Sequence, residues 1–263
     1  KLNINTKINN NLIKSMAIEV AEINPFKDIS NNTEFFKDGK LKNKVYSMKE
    51  KLNFRKTINP FRAWNYDKGN LNYSLSWDAI PRYSNNTIFL AEIYWAYHYP
   101  GKSWSYYKGI ENFVSSMNWN HDSEYYKAKS TKITDSNFHT FIAEVIKDKV
   151  YKHKSDGIML DWWHDNHPNN NTKAQVKKAR ISIVNEIRKK LSKETIILGN
   201  VNWKKDIATA NIINGVFLEL HKNSRRSYLY NSQDLFKIEN ILYFYENNLM
   251  FPKIIALNGW RKT

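Results

Sequence analysis

The chain contains no cysteine. That excludes disulfide staples and thiolate metal sites, and it leaves the compartment open. Glycine and proline are scarce, 8 and 6 in 263 residues, which argues against a fibrous or low-complexity protein. No stretch approaches the roughly 20 apolar residues of a membrane-crossing helix. Acidic side chains are the minority: 25 Asp and Glu against 41 Lys and Arg leave a net charge of +16. Such a surplus suits an anionic partner, whether nucleic acid, a membrane surface or an acidic polysaccharide. A Lys/Asn-rich coding bias explains it equally well. The basic residues are scattered in pairs, with no arm or long run, and that spread argues against nucleic acid as the partner. No GxGxxG or GxxxxGK[ST] pattern follows any apolar run, so neither a nucleotide fold nor a cofactor is expected.

Aromatic residues are plentiful, with 9 Trp, 16 Tyr and 13 Phe. Most must fill a core, but a surplus of Trp and Tyr also suits a sugar-binding cleft, where flat rings stack on pyranose faces. The length fits one large domain or two small ones. The chain starts at Lys1 without Met or a signal-like apolar run. This fits a removed leader and favours a secreted, periplasmic or cell-envelope location. Asn-X-Ser/Thr sequons at Asn31, Asn72, Asn85 and Asn170 are expected by chance in so Asn-rich a chain.

From Thr87 onward, short apolar runs alternate with helical periodicity. "TIFLAEIYWA" (87–96), "DGIMLDWW" (156–163), "TIILGNVNW" (195–203), "NGVFLEL" (214–220) and "KIIALNGW" (253–260) read as strands. Between them, Phe138, Phe141, Ile142, Val145 and Ile146 recur at helical spacing, with Thr134 to Ser136 available as caps. Val176, Ala179, Ile183, Val184, Ile187 and Leu191 form a second stripe, opened by a Thr172/Gln175 capping-box pattern. Leu235, Ile238, Leu242 and Tyr245 form a third. Strands that are near-continuously Ile, Leu and Val are buried on both faces, as in parallel sheets covered by helices. The expected fold class is therefore α/β, a (β/α)8 TIM-type barrel that is complete or is missing or irregular in its last unit. The irregularity is raised because the chain stops at Thr263, directly after the strand ending in Asn258. Either an N-terminal strand closes the barrel or the sequence is incomplete. "MAIEVAEI" (16–23) and "FRAWNYD" (61–67) are candidate early strands. Residues 1–60 form a partly irregular N-terminal segment or a first barrel unit, and 61–263 form the barrel domain.

Each apolar run ends in something polar: Glu92 with Tyr94 and Trp95, then Asp161, Asn200, Glu219, and Asn258 with Trp260. Burying an unpaired carboxylate costs several kcal/mol, so these ends face a cleft. In a (β/α)8 barrel the C-terminal ends of the strands carry the active site. The segment Asp156 to Trp162 resembles the fourth-strand motif, (F/Y/S)-D-G-(I/V)-(F/M)-L-D, of glycoside-hydrolase-like TIM barrels. These include the endo-α-1,4-polygalactosaminidase group and, more distantly, α-galactosidase-like and α-amylase-like barrels. The resemblance spans about Thr87 to Trp260, with one specific motif. It implies that the Asp ending strand four is catalytic and that a carboxylate ending strand six is its partner, here Asp161 and Glu219.

Glycoside hydrolysis needs two carboxylates flanking the bond, and strands two apart can place them so. The competing readings are that Asp161 caps its loop and that Glu219 pairs with Lys222 or Arg225. For substrate contacts the candidates are Glu92, Trp95, Trp162, Trp163, His164, Asn200, Trp203, Asn258 and Trp260. The tryptophans are sugar platforms or loop packing. His164, Asp165 and His167 form a permissible metal set, but they lack i, i+4 spacing and a fourth ligand, so no metal is assigned. Asp156 and Gly157 sit at the opposite end of their strand, where a turn role fits better. The expected function is a glycoside hydrolase acting on a polysaccharide or oligosaccharide. The alternatives are a carbohydrate-binding barrel without catalysis and, behind it, a basic nucleic-acid binder. The charge suggests an anionic glycan steered by Lys102, Lys204, Lys205, Lys222, Arg225 and Arg226.

Overall fold

The structure, a computed structural model, describes residues 16–19, 36–37, 40–41, 59–63, 75–77, 87–102, 105–118, 128–166, 171–220 and 230–258. Eight strands make one curled sheet: β1 (Met16–Glu19), β2 (Asn59–Ala63), β3 (Leu75–Trp77), β4 (Ile88–Ile93), β5 (Gly157–Leu160), β6 (Ile196–Asn200), β7 (Gly215–Glu219) and β8 (Ile254–Asn258). Every neighbouring pair is parallel. β1 pairs with both β8 and β2, so the hydrogen-bonded order returns on itself. β5 and β6 run parallel in the register Gly157↔Ile196 to Leu160↔Gly199.

The near-continuous apolar runs are explained by two core layers. Phe61, Leu75, Trp77, Ile88, Leu90, Met159, Ile196, Leu198, Phe217, Ile254 and Ala256 fill one layer on the concave face of the sheet. Trp77 packs there against Phe61 and Phe217, with ring centroids 5.2 and 4.8 Å away. The alternate residues, such as Ala91, Ile93, Ile158, Leu160, Ile197, Val216, Leu218 and Ile255, face outward into the layer shared with the helices. A period of two with both faces buried leaves few polar positions except near the strand ends.

Three helices among the described residues cover that outer layer: α1 (Ser136–His153), α2 (Lys173–Lys190) and α3 (Ser232–Asn248). Asp135 caps α1 by accepting from the Asn137 amide at 2.9 Å. The Thr172/Gln175 capping box of α2 is formed in both directions. Asn231 and Asp234 make another at α3. The link from β6 to β7 contains only a short 3-10 turn, Ala210–Ile212. The face of α3 follows the expected stripe in Ile238, Leu242 and Tyr245 but not in Leu235. Ile241 and Tyr245 are buried, but Leu235 is 49% exposed. Apolar residues lie almost all round this helix, so periodicity alone could not select the docking face.

Glycine matters where strands close up. A Cβ on Gly157 would lie 2.0 Å from the carbonyl oxygen of Ile196 on the neighbouring strand. The preceding Asp156 accepts a 2.9 Å bond from the Phe89 amide, so it ties two neighbouring strands together where a turn role was expected. After β4 the chain makes a three-stranded antiparallel sheet from Tyr97–His98, Val114–Asn118 and Lys129–Thr131. No sequence period announced it. No helix among the described residues is long and apolar enough to cross a membrane.

Candidate active site

In parallel strands all C-terminal ends share one side of the sheet. There the polar strand ends meet. Asp161 directly follows β5, Asn200 ends β6, Glu219 ends β7 and Asn258 ends β8. Counted round the sheet, Asp161 follows the fifth strand and Glu219 closes the seventh, whereas the resemblance numbers them fourth and sixth. The two-strand interval is the same. The Asn200 side chain joins them: its Nδ2 donates to Asp161 Oδ1 and to Glu219 Oε2, each at 2.9 Å. An amide nitrogen carries two hydrogens, and each is used on one carboxylate. Asn200 Oδ1 accepts from the Asn202 amide at 3.3 Å, and a backbone N–H can only donate, so the orientation of the side-chain amide is fixed. Two oxygens 2.9 Å from one nitrogen lie at most twice that distance, 5.8 Å, apart.

The other oxygen of Asp161 accepts from the Tyr97 hydroxyl. Tyr97 belongs to the small sheet after β4 and is buried. Burial, then the Asp161 charge, holds its phenol well above the ordinary range, so it remains a donor. Tyr94 is pushed up in the same way, first by burial and then by Glu92 and Asp161. Burial also raises Tyr107, whose hydroxyl accepts from the Tyr94 amide at 2.9 Å. Glu92 therefore belongs to the same cluster. Behind it, Lys149 of α1 donates to the Glu92 carbonyl at 3.3 Å and lies 4.8 Å over the Tyr107 ring. Burial draws its ammonium below the usual lysine range, with Glu92 opposing.

Not every sequence candidate reaches this mouth. Trp95 and Trp163 are fully buried and pack edge to face at 4.8 Å, so neither offers a face to a sugar. They belong to the outward layer, and Gly199 makes room for Trp163: a Cβ there would meet its Cδ1 at 2.5 Å. The Trp163 Nε1 donates to Thr209 Oγ1 at 2.8 Å. Trp162 is half-buried in the left-handed backbone region, φ 55°, with its Nε1 donating to the Asn166 carbonyl and its ring against His164. His164 is buried. Trp203 is half-buried against Tyr230, with Lys237 5.2 Å over its ring. Asn258 is buried and registered opposite Glu219. Trp260, His167, Lys222, Arg225 and Arg226 lie outside the described residues.

Asp165 is tied to Arg180, and Lys177 lies 3.8 Å away. No cluster of three metal-binding side chains occurs among the described residues. Arg180 is 1% exposed and also holds Asp206 at 3.0 Å. Asp206 further accepts from the amides of Ala208 and Thr209 at 3.1 Å. Sequence reasoning passed over Arg180, although it stands in the α2 stripe four residues after Val176. It also passed over Tyr97, inside the "YWAYHY" run after β4.

No family model and no curated protein matches the chain. Among solved structures, Ega3 from Aspergillus fumigatus, in complex with galactosamine, matches with TM-score 0.53 and 10% identity over 76% of each chain. This shows a shared fold. The glycoside hydrolase domain of PelA from Pseudomonas aeruginosa gives 0.40 and 9% over 51% of each chain. The α-galactosidase TtGalA from Thermus thermophilus gives 0.42 and 8%, over 63% of this chain and 36% of that one. The last two likenesses are too slight to argue from, and the chain spans only about half or less of those structures.

Proposed function

We propose that the protein is a glycoside hydrolase built on a (β/α)8 barrel whose first unit includes β1, with Asp161 and Glu219 as its two working carboxylates. The observation that carries this reading is the single Asn200 amide spanning both carboxylates at 2.9 Å. A cleft shared by two carboxylates is what glycosidic cleavage uses. Support for carbohydrate is coarser: the shared fold is that of a protein seen with galactosamine.

The spacing supports one of two mechanisms. Retaining enzymes hold their carboxyl groups about 5–5.5 Å apart, and inverting ones about 6.5–9.5 Å to admit a water. The limit of 5.8 Å between the bridged oxygens favours the first. Asp161, with donors on both oxygens from Tyr97 and Asn200, is held as an acceptor and serves as nucleophile. Glu219 protonates the leaving oxygen. The covalent glycosyl ester on Asp161 is then released by water, which gives its proton back to Glu219.

The test uses a panel of neutral, acidic and amino-sugar oligosaccharides and polysaccharides, with new reducing ends as the readout. Wild type should cleave at least one member. Asp161→Asn and Glu219→Gln should each lose about a thousandfold or more of that rate, because each removes one of two indispensable groups. Their melting temperatures should stay near wild type. Full activity in either variant refutes the assignment. Unfolding of both would return the carboxylates to a structural role.

A further inference from the structure

Just beyond Asp161 and Asn200, the loops after β5 and β6 meet the first turn of α2 around a cavity of about 120 Å³. That is room for several waters, and hence for an oxyanion group, but far below the roughly 300–1,000 Å³ that encloses a whole drug-sized ligand. Four cationic side chains line it: Lys173, Arg180, Lys204 and Lys205. The two carboxylates in the lining are already committed. Asp165 and Asp206 share the buried guanidinium of Arg180, and Asp206 is also filled by backbone amides. Arg180 is 1% exposed, and its Nε has no hydrogen-bond partner. Lys173 and Lys204 make no ion pair among the described residues. Lys173 also stands at the first position of α2, where the helix dipole disfavours a cation and its amides favour an anion. The uncompensated charge in this cavity is positive.

We propose that this cavity is an anion subsite of the same mouth, taking a sulfate, carboxylate or phosphate substituent carried by the saccharide. The inference rests on the hydrolase reading for its substrate, but its test does not. Two of the six basic residues expected to steer an anionic glycan, Lys204 and Lys205, fall in its wall. The carboxylates would act on the glycosidic bond while the lysines hold the charged substituent of a neighbouring sugar. Such an arrangement reconciles an acidic cleft with a chain of net charge +16.

Isothermal titration at low ionic strength would compare oligoglucuronate, a sulfated oligosaccharide, a neutral oligosaccharide of equal length and inorganic sulfate. Wild type should bind one of the two acidic oligosaccharides at least tenfold more tightly than the neutral one. The preference should shrink as salt rises, because the Debye length contracts to about 8 Å at physiological ionic strength. The double variant Lys173→Gln/Lys204→Gln should lose the preference and keep its affinity for the neutral sugar. The reversal Lys204→Glu should invert it, with unchanged melting temperatures in both variants because the positions are exposed. Equal affinity for acidic and neutral ligands in wild type would overturn the proposal, as would an unaltered preference in the double variant. Inorganic sulfate bound as tightly as the oligosaccharides would overturn the glycan assignment in favour of a free-anion site. If wild type prefers an acidic oligosaccharide but cleaves nothing in the hydrolysis panel, the subsite stands and the hydrolase reading falls.

Discussion

Asn200 has a different kind of role from the residues it touches. It carries no titratable group, yet it fixes where two carboxylates stand. Its removal leaves Asp161 and Glu219 free to splay, and in the proposed mechanism misplacing them by about 1 Å costs on the order of a hundredfold. Asn200→Ala should therefore lower kcat by about that factor with KM little changed and should shift the pH profile, a readout that loss of packing alone would not move. Steady-state kinetics across pH checks this. Its neighbour Gly199 acts through volume. Gly199→Ala would press a methyl group into the Trp163 ring at 2.5 Å. Overpacking of this kind costs about 1–3 kcal/mol, so the melting temperature should fall while the carboxylates stay in place.

At the scale of elements, Arg180 joins three of them: α2, the loop after β5 through Asp165 and the loop after β6 through Asp206. Breaking one side of a buried ion pair leaves an uncompensated charge and costs about 3–5 kcal/mol. Arg180→Met should show a loss of that size in urea unfolding. The double variant Arg180→Met/Asp206→Asn should recover much of it, since Asn keeps an acceptor for the Ala208 and Thr209 amides without the charge. Equal losses in the single and double variants would mean that packing, not charge, is what Arg180 supplies. Elements were also the level at which the sequence spoke most clearly. Apolar runs bounded by turn residues and the Thr172/Gln175 box placed five strands and α2 within a few residues of their observed limits. The side chains were harder. Trp95 and Trp163 follow apolar runs and look like rim aromatics, but both turn into the outward layer, and sequence spacing cannot distinguish the two sides once the strand has ended. The Tyr97 hydrogen bond to Asp161 was not legible because it depends on a small antiparallel sheet with no period of its own. Arg180 was hidden because a charged residue in an apolar stripe becomes legible only with its partners, and those lie on other elements.

For the molecule as a whole, parallel strands gather every C-terminal end on one side, so that a chain with few acidic groups concentrates Glu92, Asp161 and Glu219 around one mouth. That concentration was readable from strand ends alone, without knowing a single contact. The distance between the carboxylates was not readable, because it depends on the Asn200 bridge, and it is the distance that distinguishes two reaction courses. The most direct test is the anomeric configuration of the first product, followed by proton NMR as wild type acts on any substrate it cleaves. With Asp161 and Glu219 held by one amide, the product should appear first with the configuration of the bond that was broken and only later mutarotate. A first product of opposite configuration would require room for a water between the carboxylates, and would contradict the bridged pair as the working geometry.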